Sequence, residues 1–217
     1  PALLALVFSF ARPATGDRIN HEGRLLGPAP VVSNATLFNT TNADAIISAM
    51  QIFPTTNPWN EDVSRRPLLM NSDAMIAQIN ADLPAANRKL RLFQEMNFVL
   101  VPTNQPLVPI SFLGGYPAES DLNGGAFPNG LYPIATNLPI EGWPSQTGGL
   151  TLSQWQQTDD GGDRHSITVQ PGNGLIFETW RTLRNGANWS ATNGAIFNLT
   201  NNNLRPDTWT SGDAAGF

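Results

Sequence analysis

Residues 158–169 read TDDGGDRHSITV, a stretch that gathers Asp159, Asp160, Asp163, Arg164 and one of only two histidines in the chain, His165. A carboxylate that fixes an imidazole's tautomer or raises its pKa equips the pair for proton transfer or for metal ligation. The chemistry depends on which side chains share a face. That is set by the hairpin the following residues predict.

SITVQPGNGLIFETW, 166–180, alternates on either side of PGNG, whose Gly and Asn supply the positive φ angles of a tight turn. A loop at Gly172-Asn173 sets Gln170 opposite Leu175 and His165 opposite Trp180; a loop at Asn173-Gly174 moves the partner by two. Either register puts Asp163, His165, Ile167 and Val169 on one face with Ile176, Glu178 and Trp180. Arg164, Ser166 and Thr168 share the other with Phe177, Thr179 and Arg181. The candidate catalytic residues are therefore His165, Asp163, Glu178 and Arg181. His165 works with Asp163 or Glu178 as the proton-transfer pair, and Arg181 or Arg164 serves as a carboxylate or oxyanion partner. Two carboxylates flanking a sugar could instead run glycoside hydrolysis. The plainer alternative is a half-buried histidine whose nitrogens are satisfied at a strand end.

Six tryptophans accompany a charged content of only 13%. Indoles beside Asn, Gln, Asp and Arg suit sugar rings, whose apolar faces stack on aromatics while their hydroxyls meet polar side chains. Trp180, Trp143, Trp155 and Arg164 are the candidate substrate-binding residues. Trp143 and Trp155, which flank PSQTGGLTLSQ, are expected to be accessible, and Trp180 and Trp209 buried. Core packing is the alternative for each of them singly.

Other chemistries find no motif. The histidines, His21 and His165, form no H-x-H or HExxH pair, and no metal site is assigned. Calcium at Asp159 and Asp160 in DDGGD, or at Asp121 in ESDLNGG, is the one cofactor alternative to solvated turns, and neither loop follows the EF-hand pattern. G-x-S-x-G, GxxxxGK[ST] and a GxGxxG after a strand are all missing. Cysteine is absent, which removes thiolate sites and disulfides. With 12 basic and 17 acidic residues and a net charge of −5, the chain is a poor match for nucleic acid.

The elements that must position these residues divide the chain of 217 residues in two. Helical spacing predicts short helices over 42–51, capped by Asn42, and over 72–82, capped by Ser72, in the N-terminal half. From Phe98 onward NFVLVP, LVPISF, HSITVQ, GLIFETWRTL and AIFNLT are short, β-branched and bounded by Gly, Pro and Asn. The expectation is a mainly β fold, an antiparallel β-sandwich or jelly roll with the two helices packed at an edge. The insertion 114–149 is too long for a hairpin, and loops of that length are functional or disordered.

Residues 1–11 read as the remnant of a secretion signal, with an apolar first strand as the alternative. Nine apolar residues cannot span a bilayer as a helix. Residues 12–40 form an extended lead-in, and 41–217 a single β-rich domain that is expected to continue past Phe217.

NPWNEDVSRRPLLMNSDAMIAQI at 57–79, GGDRHSITVQPGNGLIFETW at 161–180 and LRPDTWTSGDAAG at 204–216 give the chain a resemblance to a family of secreted bacterial proteins. The resemblance runs from about residue 50 and rests on the NPWN, GDRH and WTSGDAAG motifs. It implies secretion and a β-rich fold, and carries over no catalytic residue. Together these readings predict a secreted carbohydrate-active protein, either a polysaccharide-degrading enzyme using a His/carboxylate site or a non-catalytic glycan-binding or cell-surface module. The expected partner is a polysaccharide or glycan.

Overall fold

The computed structural model describes Arg18, residues 24–88 and residues 97–210. The secretion-signal reading of 1–11, His21 and the SGDAAG motif lie outside the described residues. The chain order is β1 (Thr36–Leu37), α1 (Thr41–Ser48), α2 (Ser72–Asp82), β2 (Phe98–Leu100), β3 (Val108–Phe112), β4 (Asn129–Tyr132), α3 (Leu152–Gln156), β5 (Ser166–Gln170), β6 (Leu175–Trp180), β7 (Leu183–Asn185), β8 (Asn188–Ala191) and β9 (Asn193–Asn198). The fold is mainly β and sandwich-like. One sheet has the order β1-β2-β5-β6-β9 and the other β4-β3-β8-β7.

The ladders are mixed, not purely antiparallel: β2 pairs parallel with β5, and β3 with β8. Parallel neighbours need a long crossover between them. The insertion 114–149 lies within both crossovers. It is also less irregular than its Gly and Pro content predicts, because Asn129–Tyr132 folds back on β3 as an antiparallel neighbour.

The main core fills the space between the sheets, where Val99, Val101 and Phe177 meet Ile110, Phe112, Tyr132 and Trp189. Tyr132 is edge-on to both Phe112 and Phe177, with centroids 5.7 and 5.3 Å away. Burying each such side chain is worth roughly 1.5–3 kcal/mol in apolar transfer. A second core covers the outer face of the five-stranded sheet, where Ala43, Ile46 and Met50 of and just beyond α1 pack on Leu100, Val169, Ile176 and Leu199. Because both faces of the central strands are covered, Val99, Leu100 and Val101 are all fully buried. That is why NFVLVP reads as an apolar run and not an alternation.

The helices differ in their fate. Thr40, not Asn42, caps α1, its hydroxyl accepting from the Ala43 N–H at 3.1 Å. α2 spans 72–82 as the spacing predicts, but its cap position is Asn71 and it buries no residue, so it does not pack at a sheet edge. α3 is closed by a capping box between Thr151 and Gln154. No helix among the described residues is long and apolar enough to cross a membrane.

Candidate functional site

The β5–β6 hairpin adopts one of the two expected registers, with Gln170 opposite Leu175 and Ser166 opposite Thr179. The Pro171–Gly174 turn closes through the Gly174 N–H, which donates to the Pro171 carbonyl at 3.2 Å, with Gly174 at φ 62°. Faces sort as predicted through the ladder: Val169 and Ile176 join the outer core, and Phe177 the inter-sheet core. The pattern breaks at the open end. Arg164 and Arg181, each two residues beyond the Ser166–Thr179 pair, both have left-handed φ, 51° and 54°. Side chains rarely adopt this region, so the two strands turn together here. The chain after Trp180 leaves the five-stranded sheet at this corner and enters the other sheet as β7.

The two arginines have opposite roles. Arg164 is 3% exposed. Its Nε donates to the Thr182 carbonyl at 3.0 Å, one terminal nitrogen to the Trp155 carbonyl at 2.9 Å and the other to Asp160 at 3.3 Å. The guanidinium also lies 5.4 Å from the centre of the Trp155 ring. These bonds lock the corner together, and Arg164 acts here as a buried structural clamp. Arg181 is exposed and pairs loosely with Asp159 at 3.7 Å. A cavity of about 170 Å³ lies between them, lined by Leu113, Asp159, Arg164, Arg181, Leu183 and Thr192 among others.

Beside this corner the structure brings together Trp180, Asp163 and Tyr116. The Trp180 Nε1–H donates to the Asp163 carboxylate at 3.2 Å. Tyr116 packs against the indole at 5.9 Å between centroids and 39° between planes. Asp163 is exposed, Trp180 partly so, and Tyr116 is 42% exposed. The loop before Tyr116 turns at Gly114, whose φ of 98° lies in the region that favours glycine. The result is an aromatic surface edged by a carboxylate.

His165 and Glu178 lie deeper. Both are buried, at 9% and 2% exposure, whereas Asp163 is at the surface. The left-handed turn at Arg164 separates Asp163 from His165, so the predicted four-residue cluster divides into a surface pair, Asp163 and Trp180, and a buried pair. Glu178 stands opposite Ile167 on one side and Ala195 on the other. The backbone of His165 is held by Glu141: the His165 N–H donates to the Glu141 carboxylate at 3.1 Å, and the Glu141 N–H donates to the His165 carbonyl at 2.8 Å.

Trp155 is 7% exposed, with its Nε1–H donating to the Glu141 carbonyl at 2.9 Å, so it is core and not an accessible stacking surface. It is drawn inward because α3 packs its indole beneath Arg164. Trp143 is partly exposed and packs against the inter-sheet core. The expected burial of Trp180 and Trp209 is incomplete, since both are partly exposed. The calcium candidates are engaged locally. Asp159 and Asp160 accept from the Gly161 and Gly162 N–H groups, while Asp121 accepts from Arg205 Nε and from the Ile196 N–H, both at 2.9 Å. Among the described residues no group of three or more His, Asp or Glu side chains is placed to hold a metal.

Tyr116 and Glu141, both in the long insertion, were missed from the sequence. Tyr116 carries a usable signal, an aromatic directly after a Gly-Gly pair in a long loop; Glu141 carries none. No protein-family model, curated protein or solved structure matches the chain. The resemblance carried by the GDRH and NPWN motifs gains no support from these comparisons, and the functional reading rests on the site itself.

Proposed function

We propose that the chain is a secreted glycan-binding protein whose site is the Trp180–Tyr116 surface, with Asp163 and Arg181 as its polar edge. The observation that carries the reading is the tilted, solvent-accessible Trp180–Tyr116 pair with its indole N–H fixed on Asp163. A sugar ring stacks its C–H face on such a pair, and its hydroxyls bond to a neighbouring carboxylate or guanidinium. The adjacent cavity of about 170 Å³ is well below the ~300–1,000 Å³ of sites that enclose a small molecule, which supports binding along a surface. Secretion is part of the proposal and rests on the apolar run at 2–10. The test is tryptophan fluorescence of the chain titrated with a panel of neutral and acidic polysaccharides, with reducing ends and unsaturated products followed in parallel. Saturable quenching by one class without product is the expected result. Unchanged spectra across the panel contradict it.

A second reading, a polysaccharide-degrading enzyme, draws on the burial of an imidazole and a carboxylate, His165 and Glu178, next to this surface. Its catalytic set remains His165 with Glu178 or Asp163, assisted by Arg181. Product that disappears in a folded His165→Ala variant would favour it over binding alone.

A further inference from the structure

Asn193 is bonded to both halves of the aromatic surface. It stands directly opposite Trp180 in the β6–β9 ladder, and residues paired in this way project from the same face of a sheet. From there its side chain reaches 77 positions back along the chain, where Nδ2 donates to the Tyr116 carbonyl at 3.3 Å. The same nitrogen lies 3.2 Å from the Glu119 carbonyl and 3.2 Å from Ser120 Oγ. The two carbonyls can only accept, so it is the amide nitrogen that must face them. The amide oxygen is left buried without a hydrogen bond, in a residue that is fully buried. An orphaned oxygen is a cost that a residue serving only to fill space would not carry, and here the contacts of Nδ2 offset it.

We infer that Asn193 is the positioning residue that sets Tyr116 against Trp180, and thereby a determinant of affinity at this surface; the affinity role rests on the glycan-binding reading. What Nδ2 holds is the segment that starts at Tyr116 and runs through the single turn Pro117–Glu119 to Ser120. Ser120 completes the grip, because its Oγ donates to the Tyr116 carbonyl at 3.2 Å and accepts from the Gly194 N–H at 3.2 Å. The far end of the segment is anchored separately by Arg205, which donates to the Glu119 carbonyl at 2.7 Å and to the Asp121 carboxylate at 2.9 Å. Removing the Asn193 amide therefore loosens the Tyr116 end in particular. Asn193 itself is sealed from solvent and acts through the Tyr116 backbone. A ring held in place before binding has less freedom to lose when a sugar stacks on it.

Two measurements on the full chain test the inference, and the first needs no ligand. In protein labelled with fluorotryptophan, the fluorine NMR resonance of Trp180 is the one missing from Trp180→Phe, and Tyr116→Ala should displace it. Asn193→Ala should displace the same resonance in the same direction and leave those of Trp143 and Trp155 in place. The second is the affinity for whichever of hydroxyethylcellulose, xylan and alginate quenches tryptophan fluorescence most. Asn193→Ala should weaken it about fivefold in wild type and less than about twofold in Tyr116→Ala, the non-additivity of a residue that acts through another. If Asn193→Ala does not fold, Ser120→Ala, which removes the hydroxyl that also bonds the Tyr116 carbonyl, decides with the same expectations. An unmoved Trp180 resonance, or a loss of affinity that persists undiminished in Tyr116→Ala, overturns the inference. Failure of the glycan reading looks different: a displaced Trp180 resonance in a chain that binds none of the three polysaccharides supports Asn193 as the residue that places Tyr116 and overturns its role in affinity.

Discussion

The Trp180 indole N–H is held by the Asp163 carboxylate at 3.2 Å, across the open end of the β5–β6 hairpin. The bond joins the residue that ends the last regular strand pair to the residue just before the left-handed turn at Arg164, and it fixes the plane on which a ligand would stack. Asp163→Ala should therefore weaken glycan binding by about fivefold, the equivalent of one modest hydrogen bond, and Asp163→Asn by less. Titration of tryptophan fluorescence reads both.

The two left-handed arginines should separate cleanly in stability. Arg164→Ala removes a buried cation with three hydrogen-bonded partners and should cost about 3 kcal/mol. Arg181→Ala loses only a solvent-screened contact and should stay within about 0.5 kcal/mol of wild type. Urea unfolding monitored by circular dichroism makes the comparison.

Gly194 is required by close packing between the sheets. A Cβ there would stand 2.5 Å from both the Phe112 ring and the Tyr132 hydroxyl, neither of which has room to retreat. Gly194→Ala should destabilise by about 2–3 kcal/mol as an overpacking change. Phe112→Leu in the same chain should recover part of the loss.

Tyr132 links stability to alkaline pH. Burial, reinforced by nearby Asp121 and Glu178 and opposed by Arg205, holds its phenol well above the usual tyrosine range. The folded state therefore keeps the proton more tightly than the unfolded chain does. The stabilising contribution is complete below the unfolded pKa of about 10 and falls as pH rises beyond it. Tyrosinate absorbance assigned to Tyr132 by difference from Tyr132→Phe should appear only with unfolding. Its appearance in the folded protein would show that the phenol is not sealed.

Much of the fold is legible in the residues. Thr168, Phe177, Val169 and Ile176 take the predicted faces because a tight PGNG turn leaves only two registers and both keep the same pairs together. The span of α2 is predicted by its Met75, Ile76 and Ile79 spacing, but its cap is not, nor its isolation, since spacing reports a face and not what covers it. The candidate site is half legible. Alternation carries through Ser166 and fails at Arg164, because nothing in GGDRHS marks an arginine for positive φ. That single dihedral sends Asp163 to the surface and leaves His165 inside. Tyr116 reaches Trp180 through a contact between residues 64 positions apart, which no local pattern encodes.

The most direct test of the Trp180–Tyr116 surface is the dissociation constant of the best polysaccharide from the panel, measured by calorimetry for wild type, Trp180→Ala and Tyr116→Ala. Loss of a stacked ring is worth about 1–2 kcal/mol, so each variant should bind roughly 5- to 30-fold more weakly while its melting temperature stays within a few degrees. Unchanged affinity in both folded variants would contradict the site.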